Sequence, residues 1–462
     1  MIIAVWELAA TSGFAATGGP TNLRTEGHVS PIGIATQGPL LSWQPSEPTT
    51  AFQIIVGRSL VELHRSQGSV WDSGRQRSIG KTNATYKGKP LESSITYFWK
   101  VKTWSEAGIE SDWSSPAVWT TGINKSSEWL AKWISAPKES TAPSKTVASE
   151  SLTPKYFRKD FIVDGGAKSS YIFYSSFGIC ELYVNGVRIG SVLDPGISSD
   201  SGSVFYRGYD ILPLLRGRTN TIGAVVVADI ETPAPLKRGV QALLVQIVTD
   251  YHDGRRETVS SDETWTVSSD GPLRKATLNH GEHYDARRSE KEWATQVPQA
   301  AWKWLPTTTL NLSNRFKHLP EPIDRNQSAS QATPIQIWLE PHPSQPIVAK
   351  SSAKVRSLRE VSPTVFVLDF GEPIFGTVGM RFTAPPGTSV EFRYGLDIDS
   401  SSRLLIDLNH PEQPSDSYIC RGGEDELWFP RFTLRTFRYI SVSGLTNRPP
   451  LDFIWAYDYV KP

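Results

Sequence analysis

The chain has 462 residues, which at about 150 residues per domain predicts roughly three domains. Its 48 Lys and Arg residues against 47 Asp and Glu residues give a net charge of +1, which excludes the basic surplus typical of nucleic-acid-binding proteins. There are 35 Gly and 33 Pro residues but only 2 Met, and this composition favours short strands separated by turns over long helices. We therefore expect an all-β protein with no nucleic-acid partner.

Residues 1–19 form a candidate signal segment. They are largely apolar, but Glu7 interrupts the apolar stretch and no basic residue precedes it. Four N-glycosylation sequons occur, at Asn83, Asn124, Asn311 and Asn326. These features favour a secreted glycoprotein, with a cytoplasmic location as the alternative. No apolar run reaches the roughly 18 residues of a membrane span, so we expect no membrane partner.

Residues 20–124 have the pattern of a first β-sandwich. Apolar and polar residues alternate between Gly, Pro and Ser turns, most clearly at 51–56 and 97–104. Residues 125–150 begin with a Trp-rich element and continue into a polar stretch with several Pro residues, which is typical of a linker.

Strand patterns resume in residues 151–295, which predict a second and larger β-sandwich. Residues 296–345 lose the pattern and are predicted to be a connector, and residues 346–462 predict a third sandwich. The predicted fold is therefore all-β, with three consecutive β-sandwich domains and less than about 10% helix.

The two cysteines, Cys180 and Cys420, are 240 positions apart in the sequence. Two thiols cannot build a disulfide framework or a four-ligand zinc site. Both lie beside strand-like sequence, which predicts two buried free thiols.

Short motifs follow one another in a characteristic order over nearly the whole chain. They include Pro39-Leu-Leu-Ser-Trp43 and Trp71-Asp-Ser-Gly74, then Leu182-Tyr-Val-Asn-Gly186 and Gly281-Glu-His-Tyr-Asp-Ala-Arg287, then Leu368-Asp-Phe-Gly371, Asp416-Ser-Tyr418 and Pro430-Arg-Phe-Thr433. These motifs, taken in this order, resemble those of the non-catalytic N-terminal half of the inverting α-L-rhamnosidases. The resemblance implies a fibronectin-III-like domain at 20–124, a jelly-roll domain at 151–295 and a further β-sandwich at 346–462.

The chain also departs from that family's pattern. The resemblance places the catalytic carboxylates on a helical barrel that follows the last sandwich, and the 462 residues contain no such segment. Where the family tends to have Asp-Phe-Gly-Gln-Asn, this chain has Glu372-Pro373 after Asp-Phe-Gly, and where it tends to have His-Gly, this chain has Arg435-Thr436. We therefore expect no rhamnosidase activity from this chain, and a changed surface near these positions.

Glu282 and Asp285 are the one close carboxylate pair in a motif-rich stretch. Their neighbours in sequence are His280, His283, Tyr284, Arg287 and Arg288. One interpretation makes the two carboxylates the acid and base of a glycosidase, which need a sugar between them. The other makes them structural, paired with the arginines or capping backbone N–H groups.

The resemblance also bears on metal binding. Jelly rolls of this family that recognise rhamnose hold calcium with Asp and Asn oxygens, and Asn185, Asp194 and Asp200 are the nearby oxygen donors here. Asn185-Gly186 is equally a type I′ hairpin turn. We predict no metal and no cofactor, and the sequence lacks phosphate-loop, zinc-protease and serine-hydrolase motifs.

Sandwich interiors leave little room for a ligand, so we expect any small-molecule site at the contact between the second and third sandwiches. The candidate catalytic or polarising residues are Arg287, His280 and Tyr284. The candidate binding residues are Tyr206, Glu282, Asp285, Glu372, Trp428 and Arg435.

Three functions remain open on the sequence. The first is a protein that binds a glycoside or other small molecule in this inter-domain cleft without hydrolysing it. The second is a cofactor-free fungal cyclase of secondary metabolism, of the Diels–Alder type, in which the cleft holds the reactants close together. The third is a part of a longer α-L-rhamnosidase.

Overall fold

The computed structural model describes residues 18–77, 79–137, 153–195, 203–228, 240–277, 281–289, 292–296, 301–315, 335–342, 346–405, 414–423 and 426–460. Strands make up 54% and helices 5% of the structure, so the predicted all-β sandwich fold is confirmed. The chain divides into two compact units, residues 1–124 and residues 125–462. Of the described residues, none lies in a helix long and apolar enough to cross a membrane.

The first unit is a sandwich of two sheets. Its elements are β1 (Thr21–Thr25), β2 (Ile32–Ile34), β3 (Leu40–Gln44), β4 (Thr49–Gly57), α1 (Leu60–His64), β5 (Trp71–Asp72), β6 (Gln76–Arg77), β7 (Asn83–Thr85), β8 (Thr96–Ser105) and β9 (Ala117–Thr121). One sheet has the order β1-β3-β7, and the other has the order β2-β9-β8-β4-β5 with β6 also on β4. Aromatic side chains, among them Trp43, Trp99 and Trp119, fill the core.

The second unit begins with a larger sandwich and continues into a third β structure. Its first strands are β10 (Ile134–Ser135), β11 (Lys155–Ile162), β12 (Ala167–Phe177), β13 (Ile179–Val184), β14 (Val187–Ile189), β15 (Ser203–Asp210), β16 (Thr219–Val227), β17 (Ala242–Tyr251), β18 (Arg256–Ser260), β19 (Thr266–Ser268), β20 (Leu273–Thr277), β21 (Gly281–Asp285), β22 (Leu305–Pro306), β23 (Thr308–Thr309), β24 (Leu312–Arg315) and β25 (Ile335–Pro341). Its last strands are β26 (Val348–Lys354), β27 (Ser357–Ser362), β28 (Val365–Phe382), β29 (Ser389–Gly395), β30 (Ser415–Ile419), β31 (Glu426–Trp428), β32 (Arg435–Ser443) and β33 (Ile454–Val460). Short 3-10 helices lie at Ser126–Glu128, Leu212–Leu214, Ala286–Arg288 and Leu451–Phe453.

The second sandwich packs two sheets face to face. One has the order β23-β10-β17-β12-β15-β25-β24 with β18 on β17, and the other has the order β14-β13-β16-β11-β19-β22. Their facing side chains, including Phe157, Ile172 and Trp265, form one apolar core. β22 to β25 lie in the segment predicted to be a connector, and in the structure they extend these two sheets.

The third β structure is one ten-stranded sheet with the order β20-β21-β30-β29-β32-β28-β33-β26, and β27 and β31 also pair with β28. β28 is 18 residues long, and its register with β32 shifts between Asp369 and Ile374. Before the shift β28 pairs with β27, and after it β28 pairs with β33 and β31. One core that includes Phe366, Phe382 and Phe392 lies against this sheet.

β20 and β21 carry the most motif-rich part of the sequence. They precede β22 to β25 in the chain, yet β21 pairs in parallel with β30, with His283 opposite Ser417 and Tyr284 opposite Tyr418. The segment Gly281–Asp285 is therefore a strand of the third sheet, although it lies within the residues predicted for the second domain. This pairing brings its side chains to the border between the second sandwich and the third sheet.

Three local predictions concern single residues. Cys180 and Cys420 are both buried and free, as predicted. Asn185 and Gly186 have φ angles of 50° and 78° in the β13–β14 turn, which confirms the hairpin interpretation. Among the sequons, Asn83 and Asn311 are exposed and Asn124 is buried, whereas Asn326 and nearly all of the candidate signal segment lie outside the described residues.

Candidate functional site

Three buried carboxyl groups and one partly buried guanidinium meet where the third sheet borders the second sandwich. We call this group the junction cluster: Glu181, Glu282, Asp416 and Arg431. The parallel pairing of β21 with β30 places Glu282 beside Asp416, and the backbone N–H of Glu282 donates to Oδ1 of Asp416 at 2.7 Å. Close approach is possible because residue 281 is glycine: a Cβ there would lie 2.0 Å from the Ser415 carbonyl oxygen, and its φ is +100°.

Glu282 is 1% exposed, and its two carboxylate oxygens have different environments. Oε1 accepts from the backbone N–H groups of Arg431 and Phe432, the latter at 2.6 Å. Oε2 is buried without a hydrogen-bond partner among the described residues. Burial, and then the nearby Asp416 charge, raise the pKa of Glu282 to about 8, so this side chain is a neutral acid through most of the physiological range.

Asp416 is fully buried and accepts several hydrogen bonds. The Tyr394 hydroxyl donates to its Oδ2 at 2.5 Å, and the Thr433 hydroxyl lies 3.4 Å from its Oδ1. Burial raises the pKa of Asp416, while the Tyr394 hydrogen bond and the positive charge of Arg435 act in the opposite direction. The Arg435 guanidinium also lies over the Tyr394 ring, 5.9 Å from its centroid.

Arg431 connects this group to the second sandwich. Its Nη1 lies 3.1 Å from Oε2 of Glu181 and donates to the Tyr183 hydroxyl at 2.8 Å, and both partners belong to β13. The Glu181 carboxylate is 3% exposed and has a second cation, Arg188, at 3.4 Å. The junction cluster is therefore a water-poor set of ion pairs and hydrogen bonds that holds the third sheet against the second sandwich.

Four residues predicted for the site lie at or next to this cluster: Glu282, Tyr284, Trp428 and Arg435. The Tyr284 ring stacks on Tyr418 with centroids 5.7 Å apart and also approaches Trp428 at 6.2 Å. Trp428 is only 5% exposed and belongs to the core of the third sheet. The predicted aromatic walls are thus packed against protein side chains.

Asp285 faces the other side of β21 from Glu282, because residues an odd number of positions apart on a strand face opposite sides, and Arg287 lies in the 3-10 helix that follows. The Asp285 carboxylate accepts two hydrogen bonds from the Arg287 guanidinium, both at 2.9 Å, and one from the Arg287 backbone N–H at 3.2 Å. These bonds lower the pKa of Asp285. This is the arrangement that the structural interpretation predicted for Asp285.

The remaining predicted residues lie elsewhere. Tyr206 is buried in β15, with its ring 5.5 Å from Trp129 and 6.4 Å from Phe173. Glu372 is exposed at the register shift of β28. His280 lies outside the described residues. Whether any predicted residue binds a ligand stays a prediction.

Sequence reasoning did not select Asp416, Arg431 or Glu181. Asp416 and Arg431 do occur in motifs that carried the family resemblance, Asp416-Ser-Tyr418 and Pro430-Arg-Phe-Thr433. A charged residue inside a motif of the resemblance was the available signal, since charged residues are rarely buried without a partner.

Two of the oxygen donors considered for calcium already have protein partners. The Asn185 amide donates to the Leu214 carbonyl at 2.9 Å and to Oδ1 of Asn220 at 2.8 Å. Asp194 forms an ion pair with Arg207 at 2.9 Å. Asp200 is outside the described residues, and in the described part of the chain no three His, Cys, Asp or Glu side chains are grouped as metal ligands would be.

Comparison with known protein families gives three matches in chain order. Residues 20–125 match the family described as Rha78A-like, N-terminal immunoglobulin domain. Residues 166–327 match the alpha-L-rhamnosidase N-terminal domain, and residues 359–457 match the bacterial alpha-L-rhamnosidase concanavalin-like domain. The predicted fibronectin-III-like domain and an immunoglobulin domain share the same sandwich architecture.

Individual relatives agree with these matches. An alpha-L-rhamnosidase of Formosa agariphila is 26% identical over 92% of this chain and 46% of its own length. The structure of the alpha-L-rhamnosidase from Dictyoglumus thermophilum superposes with a TM-score of 0.82 and 27% identity, covering 97% of this chain and 49% of that one. A Streptomyces avermitilis alpha-L-rhamnosidase complexed with L-rhamnose shares the fold, with a TM-score of 0.80 and 21% identity over 96% of this chain and 57% of that one.

The chain thus spans about half the length of these relatives. Two of the matched models are described as N-terminal domains, and the covered share of these relatives is consistent with an N-terminal half. In chain order, this chain therefore carries domains that match the immunoglobulin-like, N-terminal and concanavalin-like domain models of alpha-L-rhamnosidases.

Proposed function

We propose that this chain is a non-hydrolytic, glycoside-binding part of a protein of the α-L-rhamnosidase type. The observation that carries the proposal is the enclosure of Glu282. Inverting hydrolysis needs two carboxylates roughly 6.5–9.5 Å apart on either side of a sugar. Glu282 has the raised pKa expected of a general acid, but two backbone N–H groups occupy one of its oxygens and protein surrounds the other. Its role is to join domains.

The binding part of the proposal rests on the exposed guanidinium groups of the 3-10 helix Ala286–Arg288, which directly follows β21. The Arg287 and Arg288 side chains are 51% and 50% exposed. Guanidinium groups donate hydrogen bonds to sugar hydroxyls. The relative from Streptomyces that is complexed with L-rhamnose makes L-rhamnose the first ligand to test.

The test is calorimetric titration of the purified chain with L-rhamnose, together with an assay for release of p-nitrophenol from its α-L-rhamnoside. We expect binding without release, and an Arg287→Ala variant that binds at least about tenfold more weakly. Arg393→Ala is the matched control, because Arg393 is 46% exposed on β29 and pairs with Glu391 two residues away, as Arg287 does with Asp285.

Equal weakening by both substitutions, or no binding of L-rhamnose, would overturn the binding proposal. Release of p-nitrophenol that Glu282→Gln abolishes would overturn the non-hydrolytic proposal. No observation at the junction favours the cyclase alternative. A cyclase needs an open apolar cleft, whereas Tyr284 and Trp428 pack against other protein side chains.

A further inference from the structure

The first unit contains a pocket that belongs to neither the junction nor the proposed function. It has a volume of about 400 Å³, within the range of roughly 300–1,000 Å³ typical of small-molecule sites. Its lining residues are Phe52, Trp71, Ser73, Gln76, Arg77, Lys81, Asn83, Ala84, Thr85 and Lys87.

The pocket lies where the edges of the two sheets of the sandwich approach each other. β5 and β6 both pair with β4 at one edge, and β7 ends the other sheet through its pairing with β3. Phe52 on β4 is buried, so it contributes an apolar floor. Trp71 on β5 is partly exposed and contributes a wall.

The Trp71 ring is held in place by its neighbours. It packs edge-on against Tyr86, with centroids 5.3 Å apart and planes at 73°, and the Tyr86 hydroxyl donates to the Lys89 carbonyl at 2.6 Å. Gly88 packs so close that a Cβ there would lie 2.5 Å from Cβ of Trp71. A rigid aromatic wall loses little entropy when a ring stacks on it.

The charged side chains that line the pocket are all positive. Arg77, Lys81 and Lys87 are exposed, and within the described part of the chain none of them forms an ion pair. The lining contains no Asp or Glu. The neighbouring Asp72 carboxylate instead accepts from the Gln53 side chain at 2.8 Å and from the Gly74 backbone at 2.9 Å.

We propose that this pocket binds an acidic sugar, a pyranose ring that carries a carboxylate. The ring stacks on Trp71, and its hydroxyls bond to the polar side chains of Gln76 and Asn83. The carboxylate lies near the three cations of the lining, which attract an anion and can donate hydrogen bonds to it. Aromatic stacking selects a ring over a simple anion, and the cations select an acidic sugar over a neutral one.

The experiment is calorimetric titration of the full chain, made in bacteria so that the Asn83 sequon carries no glycan, with D-glucuronate, D-glucose and inorganic phosphate. We expect glucuronate to bind at least about tenfold more tightly than glucose or phosphate. A Lys81→Gln/Lys87→Gln variant should lose about tenfold in glucuronate affinity. Arg65→Gln, which removes an exposed cation of the same unit outside the lining, should bind as the parent does.

Equal affinity for glucose and glucuronate would show that the cations do not select the ligand and would overturn the proposal. Phosphate that binds as tightly as glucuronate, and displaces it, would reduce the pocket to a simple anion site and would also overturn it. If the lysine double variant binds glucuronate with unchanged affinity, glucuronate binds outside this pocket and the proposal is overturned. L-Rhamnose bears no carboxylate, so failure here leaves the junction proposal standing.

Discussion

Nη1 of Arg431 lies 3.1 Å from Oε2 of Glu181, and this ion pair joins the segment between β31 and β32 to strand β13 of the second sandwich. The Arg431 side chain is 21% exposed and the Glu181 side chain 3%. A charge pair in this position holds two β structures together, because removing Arg431 would leave the buried Glu181 carboxylate with one cation, Arg188 at 3.4 Å, in place of two.

We expect Arg431→Met to lower the free energy of unfolding of residues 125–462 by roughly 3 kcal/mol, because it leaves Glu181 without its main partner. Calorimetric unfolding of the full chain measures this. Arg393→Met, at an exposed pair, should cost less than about 1 kcal/mol. Adding Glu181→Gln to Arg431→Met should restore part of the loss. A double variant as unstable as the sum of the two single variants would contradict the ion-pair interpretation.

Glu282 should make the protein less stable as the pH rises. Its pKa is about 8 in the folded state and near the ordinary 4.5 when unfolded, so between these values the folded state binds more protons. The stabilisation is complete below about pH 4.5 and is lost as the pH rises to about 8, at up to about 1.4 kcal/mol per pH unit. Asp416, whose pKa is also raised, acts in the same direction.

The measurement is the urea midpoint of the full chain from pH 5 to 9, with Glu282→Gln beside it. The amide keeps Oε1 as an acceptor for the backbone N–H groups and has no charge to lose, so its profile should be flatter and should exceed the parent's at pH 9. Asp285 and Asp369, whose pKa values are lowered, affect stability only at more acidic pH. Parallel profiles for parent and variant would contradict the assignment.

Gly281 should tolerate no side chain. Gly281→Ala puts a Cβ 2.0 Å from the Ser415 carbonyl oxygen at a φ of +100°, so the β21–β30 pairing must open, at a cost of roughly 3 kcal/mol or more. Gly254→Ala is the matched control, since its φ is +89° and nothing lies within 4 Å. Gly254→Ala should lower the free energy of unfolding by about 1 kcal/mol, because the left-handed backbone conformation alone disfavours a side chain. Equal thermal unfolding midpoints for the two variants would contradict the prediction, because they would show that the backbone around Gly281 and Ser415 can move to accept a Cβ.

The two thiols should be unreactive in the folded protein. Burial raises the pKa of Cys420 to about 12 and that of Cys180 well above its ordinary value, so little thiolate forms at pH 8. Labelling with a thiol-specific disulfide reagent should modify neither cysteine in the native chain and both in guanidinium chloride. Rapid labelling of either thiol under native conditions would mean that its surroundings open readily.

The sequence determined where many of the strands lie. The stretches 51–56, 156–161 and 389–394, chosen for their strand-like pattern, lie inside β4, β11 and β29. Strand alternation separates Glu282 from Asp285, since residues an odd number of positions apart on a strand face opposite sides. The sequence Asn185-Gly186 also predicted its turn, because a type I′ hairpin turn requires two successive residues with positive φ.

Only the tertiary structure decided which strands are neighbours. Residues 283–285 lie in the chain between strands of the second sandwich, yet they pair in parallel with residues 417–419, 134 positions later. That pairing depends on shape and burial across the whole third sheet, which local sequence does not encode. The same pairing isolates the carboxyl group of Glu282 from water. Strand alternation places this side chain on one face of β21, and Asp416, Phe432 and Arg431 pack against that face and bury it.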